Sequence, residues 1–268
     1  MKIIFVIIFS LASYLIVDAQ QQFVIQSEFL VKPDTVWVFT PAENTSNDTL
    51  PVIYLLHGWS GNYHQWDNII DCQQYANKYN MIIVCPDGLY DSWYINSPME
   101  YENKFESFFV LELAPIVSEN FNINKDNIFI TGFSMGGHGA LYLLEKLPKY
   151  FKSAGSLSGL LDLRNWHTYY GINRVVGIDE SNTPNTLLLE YSVIGNIENI
   201  KDKKIIVSCG TEDPFYGLNL QFVDSCRANN IDVNLVESEG AHNSKYWSSS
   251  IVDHFEFFSE QINDSEIK

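Results

Sequence analysis

The chain has 268 residues, of which 46% are hydrophobic and 14% aromatic, and 33 Asp and Glu against 16 Lys and Arg leave a net charge of −17. That apolar fraction can fill a sizeable core, so disorder over most of the length is excluded. With this charge and no cluster of Lys or Arg, nucleic acid and other polyanions are excluded as partners, and a neutral or cationic ligand is favoured.

The N-terminus reads MKIIFVIIFSLASYLIVDAQ. Lys2 precedes an uncharged, mostly apolar run over residues 3–17, and Val17 and Ala19 stand at −3 and −1 of a cleavage before Gln20. The run falls short of the ~20 residues of a spanning helix, so it predicts a secretory signal peptide over residues 1–19 and no stable membrane insertion. The mature chain, residues 20–268, is then expected to be secreted or periplasmic. Three Asn-x-Ser/Thr acceptor patterns start at Asn44, Asn47 and Asn263. They matter only in a host that glycosylates.

Beyond the leader, β-branched apolar runs predict strands over residues 35–39, 51–58, 81–88, 127–132, 153–159, 204–210 and 232–238. Helical spacing predicts helices over 104–119, 136–147, 216–229 and 246–262. Near-continuous apolar strands alternating with helices indicate one doubly wound α/β domain, its sheet mostly parallel and covered on both faces. Residues 160–203 are too long for a plain connection. They read as an insertion that roofs the edge of the sheet where active sites of such folds lie.

Four cysteines, Cys72, Cys85, Cys209 and Cys226, have no metal-ligand spacing. Export would permit disulfides, and three pairings remain open. Cys85 and Cys209 end apolar runs and read as buried thiols. No His, Asp or Glu cluster has ligand spacing either, so neither metal nor cofactor is expected.

The chemistry concentrates around Ser134. Gly132-Phe133-Ser134-Met135-Gly136 follows a predicted strand and opens a predicted helix. In such a strand-to-helix elbow the serine is lifted out of a strained turn, and the flanking positions are pressed too close together for side chains. A hydroxyl needs a base. Of the six histidines, His242 lies just after the last predicted strand. An acid to orient it should lie between the two, and Gly210-Thr211-Glu212-Asp213-Pro214 ends the preceding strand. Asp213 is the first choice and Glu212 the alternative, since adjacent carboxylates cannot both face one imidazole. Backbone N–H donors for an oxyanion are expected at Met135 and Trp59, with Gly58 permitting close approach. The loop 88–105 borders the same edge and offers Trp93, Tyr94 and Asn96, with Gly58, as substrate-binding candidates. Its aromatic rings and those of residues 166–170 could equally be packing.

Together the stretches YLLHGWSGNYHQW, PDGLYDSWYINSP, ITGFSMGGHGALYL, SCGTEDPF and EGAHNSKYW resemble the esterase D family. That family includes tributyrin esterases, S-formylglutathione hydrolases, feruloyl and acetylxylan esterases and mycolyltransferases. The resemblance runs over nearly all of residues 30–260. It implies an α/β-hydrolase fold, carboxylic-ester hydrolysis, a triad of Ser134, Asp213 and His242, and oxyanion donors at Trp59 and Met135. Pro214 departs from the pattern, as relatives often carry a bulky apolar residue there. The expected substrate is a small-molecule or carbohydrate ester with a short acyl or hydroxycinnamoyl group. Acyl transfer, a glutathione thioester and a non-catalytic descendant are the alternatives. The oligomeric state is open.

Overall fold

The structure, a computed structural model, describes residues 20–43, 49–178 and 185–266, without the side chains of 185 and 263–266. The leader and most of the two acceptor patterns at Asn44 and Asn47 lie outside these residues.

Eight strands form one sheet: β1 (Gln20–Ile25), β2 (Asp34–Phe39), β3 (Leu50–Leu56), β4 (Ile82–Pro86), β5 (Ile123–Gly132), β6 (Ser153–Leu157), β7 (Lys204–Gly210) and β8 (Asp232–Ser238), in the order β1-β2-β4-β3-β5-β6-β7-β8. β3 to β8 pair in parallel, and β1 and β2 add an antiparallel edge. Strands at 51–58, 81–88 and 153–159 stop earlier than expected. Their trailing residues, such as His57-Gly58 and Asp87-Gly88, turn into loops above the sheet.

Both faces of the sheet are buried. On β3, Val52, Tyr54 and Leu56 point into one apolar layer, while Ile53 and Leu55 point into the other. The first layer is closed by α2 (Phe105–Phe108), α3 (Ala114–Asn120), α4 (Met135–Lys146) and α7 (Tyr216–Ala228), and the second by α1 (Cys72–Tyr79) and α8 (Ser244–Glu266). Each such side chain, fully buried, contributes about 1.5–3 kcal/mol by leaving water.

The helix expected over 104–119 is interrupted. Between α2 and α3, residues 109–113 widen into a π-turn in which the Ala114 N–H reaches the Phe109 carbonyl. Pro115 follows directly. It has no N–H, and its ring would clash with the carbonyl four residues back in a regular helix, so the wider turn accommodates it.

Residues 160–203 carry α5 (Ile172–Val176), α6 (Asn185–Tyr191) and two short 3-10 turns. Leu161, Leu163, Val175 and Leu188 join the core. All four cysteines are free and buried, as expected for Cys85 and Cys209.

Candidate active site

Strand register brings the loops together. Leu56 pairs with Gly132, so the loop after β3 and the turn after β5 leave the sheet at one level. Gly210 pairs with Ser238, which does the same for the loops after β7 and β8. All four lie past the C-terminal ends of parallel strands.

Ser134 caps α4 with φ 56° and ψ −119°, a conformation that costs a non-glycine residue roughly 1–3 kcal/mol and persists only where neighbours enforce it. Here the Ser134 N–H donates to the Leu157 carbonyl at 2.9 Å, and the Gly136 N–H to the Phe133 carbonyl at 2.8 Å. The turn has no room for side chains. A Cβ on Gly132 would stand 2.5 Å from the Gly136 oxygen, and one on Gly136 would stand 2.2 Å from the Leu56 oxygen.

His242 Nε2 lies 2.9 Å from Ser134 Oγ, and its Nδ1 lies 2.8 Å from Asp213 Oδ2. The Asp213 side chain is fully buried, and its other oxygen accepts the Phe215 N–H at 2.8 Å. That bond holds the carboxylate in place next to Pro214. Glu212 is exposed and takes no part in this line. The imidazole is flanked edge-to-face by Phe215 and Trp247, with ring centres 4.9 and 5.1 Å away. Among the described residues, nothing accepts the backbone N–H of Trp59 or of Met135.

A cavity of about 170 Å³ opens on Ser134, walled by Gly58, Trp59, Trp93, Phe133, Tyr170 and Phe215. Its walls are mostly apolar, with Ser134, His242, Gln65 and Tyr170 bearing polar side-chain groups. Such an arrangement can deprotonate a hydroxyl beside a small acyl-sized space. Among the described residues, no three His, Cys, Asp or Glu side chains converge as metal ligands would.

Residues 27–258 match the family model described as "Putative esterase". The chain belongs to that family, and it is a carboxylic ester hydrolase. An acetyl esterase of Caldicellulosiruptor saccharolyticus is 28% identical over 262 residues, covering 87% of this chain and 96% of that protein. Among solved structures, a fluorophosphonate-binding serine hydrolase of Staphylococcus aureus, FphF, superposes with TM-score 0.77 at 21% identity, covering 90% of this chain and 98% of that one. A ferulic acid esterase superposes with TM-score 0.76 at 21% identity, covering 90% and 97%. Both structural likenesses establish the α/β-hydrolase fold.

In this esterase the loop 88–105 divides its roles differently from the expectation. Trp93 lines the cavity, with its Nε1–H on the Tyr170 carbonyl at 3.1 Å. Tyr94 and Asn96 do not reach it. Tyr94 is fully buried and donates its hydroxyl hydrogen to the His57 carbonyl at 2.9 Å. The Asn96 amide holds the Ser107 side chain and backbone, both at 3.0 Å. Tyr94 and Asn96 therefore brace the loops around the cavity, because their polar atoms are already taken by the protein.

Gln65 was not anticipated. It lines the cavity and accepts the Gly58 N–H at 3.2 Å. No local pattern marks it, since its role arises from the fold-back of the loop after β3. The signal for Phe215 and Trp247 is their closeness in sequence to Asp213 and His242.

Of the remaining histidines, His138 and His254 pack as polar core residues. Burial pushes His138 down to about 4 and His254 down to about 3. His64 packs edge-to-face against Trp37, and His167 bonds the Arg164 carbonyl.

Proposed function

We propose that this esterase hydrolyses short-acyl or hydroxycinnamoyl esters, carbohydrate esters among them, through an acyl-enzyme on Ser134. The observation that carries the reading is the unbroken hydrogen-bonded line from buried Asp213 through His242 to a serine held in a strained elbow.

In this mechanism His242 Nε2 takes the hydroxyl proton as Ser134 Oγ attacks the ester carbonyl. The C–O π pair moves onto oxygen, and the Trp59 and Met135 N–H groups receive that charge. Collapse expels the alcohol, which takes the proton from His242 and leaves the acyl group on Ser134. Water, deprotonated by the same imidazole, then attacks and releases the acid. Asp213 orients the imidazole and stabilises its charged form.

The acyl group is proposed to occupy the cavity. At about 170 Å³ it is close to the ~150 Å³ that holds a benzene ring. It therefore suits an acetyl, a butyryl or a single aromatic ring and not a long chain. On the alcohol side, the Trp59 ring lies 5.1 Å from Tyr90 and 5.5 Å from Tyr170, and Trp166 stacks on Tyr170 at 6.3 Å. The stacked Trp166 and Tyr170 rings, with Trp59 and Tyr90 packed edge-on beside them, offer a sugar an aromatic surface. The N-terminal pattern supports release outside the cytoplasm, which favours a carbohydrate ester over a cytosolic thioester.

The test is a comparison of kcat/KM on p-nitrophenyl acetate, butyrate and octanoate, methyl ferulate and acetylated xylo-oligosaccharides. The acetate and butyrate should exceed the octanoate by at least about tenfold, the lower range for a pocket sorting by size. Equal or better turnover of octanoate would retract the acyl assignment. Alkyl esters outpacing acetylated oligosaccharides would retract the carbohydrate one.

A further inference from the structure

His57 is fully buried, 1% exposed, at the point where β3 turns into the loop carrying Trp59. It does not touch Ser134, His242 or Asp213, and the mechanism gives it no proton to move. Its two ring nitrogens are nevertheless both engaged. Nε2 lies 2.8 Å from the Gly88 N–H, and Nδ1 lies 2.8 Å from the Gly58 carbonyl oxygen.

These partners leave one protonation state. A backbone N–H only donates and a carbonyl only accepts, so Nε2 must be the bare nitrogen and Nδ1 must carry the hydrogen. Burial acts in the same direction by holding the imidazole below its ordinary value. His57 therefore donates to the Gly58 oxygen, which also accepts the Gly61 N–H at 3.0 Å.

The Gly58 carbonyl and the Trp59 N–H belong to one peptide unit. That unit is planar and trans, so its C=O and N–H point in opposite directions. Fixing the oxygen toward His57 and Gly61 turns the Trp59 N–H away from them. Gly58 and Trp59 line the same cavity as Ser134. The preceding peptide is held as well, since the Tyr94 hydroxyl donates to the His57 carbonyl at 2.9 Å and the Gly58 N–H donates to Gln65.

We propose that His57 is a positioning residue for ester hydrolysis: its Nδ1–H on the Gly58 carbonyl, backed by the Tyr94 hydroxyl on its own carbonyl, sets the Gly58–Trp59 peptide plane and so aims the Trp59 N–H at the developing oxyanion. The proposal rests on Trp59 being an oxyanion donor. It adds that the donor's direction is imposed by a buried neutral imidazole and is not an intrinsic property of the loop.

Two substitutions separate the two ring nitrogens. The amide of an asparagine falls near the Nδ1 position, so His57→Asn keeps a donor for the Gly58 carbonyl and gives up the acceptor for Gly88. The amide of a glutamine falls near Nε2, so His57→Gln keeps the acceptor and gives up the donor. Loss of a single oxyanion donor costs about 10²–10³ in kcat. A misaimed donor should fall below that, so H57Q should lower kcat by roughly 10- to 100-fold with KM within about threefold. H57N should stay within about threefold of wild type in kcat, whatever its melting temperature. Rates are taken per active site titrated with a phosphonate, which separates misfolded protein from slow enzyme.

A trifluoromethyl ketone, which binds as a tetrahedral oxyanion, should lose affinity for H57Q in proportion to kcat. Product carboxylate should not. A purely structural histidine would lower stability in both variants and leave kcat per titrated site alike, and that result would overturn the proposal. So would H57N falling as far as H57Q. If H57Q does not fold, Tyr94→Phe tests the same brace: kcat should drop with KM unchanged, and an unchanged kcat counts against it. Failure of the serine mechanism itself looks different, since Ser134→Ala would then retain activity whatever His57 does.

Discussion

Ser134 Oγ and His242 Nε2 stand 2.9 Å apart although 108 residues separate them in the chain. Nothing local brings them together. Ser134 is raised by the turn after β5 and His242 is delivered by the loop after β8, with β6 and β7 between them in the sheet. The contact is thus a product of strand order, and the proposed chemistry depends on the whole sheet being assembled.

Replacement of Ser134 by alanine should lower kcat on p-nitrophenyl acetate by roughly 10³–10⁶-fold. The fold should survive, because alanine removes one oxygen from a position whose backbone is held by Leu157 and His138. Kinetics together with a circular dichroism melt check this. A variant keeping a tenth of wild-type activity would deny Ser134 the nucleophile's role.

Asp213→Asn should cost on the order of 10⁴ in kcat by favouring the wrong imidazole tautomer. Glu212→Gln should change kcat by less than about threefold, since Glu212 is exposed. The ranking of the two is the readout, and its reversal would move the acid to Glu212.

Gly136→Ala should destabilise the protein. The added Cβ would meet the Leu56 oxygen at 2.2 Å and the His57 oxygen at 2.6 Å, both backbone atoms that cannot swing aside. Overpacking of this kind costs about 1–3 kcal/mol or more, equivalent to roughly 2–12 °C in Tm at this chain length. Differential scanning calorimetry decides it. A melt within one degree of wild type, about the size of an ordinary surface change, would mean the elbow is looser than its geometry implies.

His254 gives a pH-dependent prediction. It bonds Thr131 Oγ1 at 2.8 Å and Ser208 Oγ at 2.9 Å in the core, and burial lowers it from 6.5 to about 3. Between those values the unfolded chain binds a proton that the fold refuses. Stability is therefore present in full above pH 6.5 and is lost as pH falls toward 3, by about 1.4 kcal/mol per pH unit for this group. Denaturant unfolding at pH 7, 6 and 5 should show that His254→Leu has a shallower decline than wild type. Parallel declines would remove His254 as a source of acid sensitivity.

The parallel core of the fold was legible because β3, β4 and the later parts of β5 and β7 are buried on both faces and read as apolar runs. The serine and acid were legible because each lies just past such a run, and the base because it lies in the loop after the last strand, β8. β1 was not, since Gln20-Gln21-Gln22 hides an edge strand whose inward residues are only Phe23 and Ile25. α1 was missed for a similar reason: of CQQYANKY only Cys72 and Ala76 are buried. The π-turn depends on a clash between Pro115 and the helix before it, which apolar periodicity does not register. Tyr94 and Asn96 read from the sequence as substrate contacts because they lie on the right loop. Which residues of that loop point into the cavity is decided by positive φ at Trp93 and Tyr94, 55° and 61°, a backbone feature with no glycine to announce it.

The central claim is that Ser134 carries the acyl group. The most direct measurement is peptide mapping by mass spectrometry after reaction with a fluorophosphonate, which mimics the tetrahedral intermediate and stays covalently bound to an activated serine. One adduct per chain is predicted, on the peptide containing Gly132-Phe133-Ser134-Met135-Gly136 and located to Ser134, formed in step with loss of esterase activity. Complete inactivation with the adduct on another residue, or full activity retained with Ser134 modified, would contradict the account.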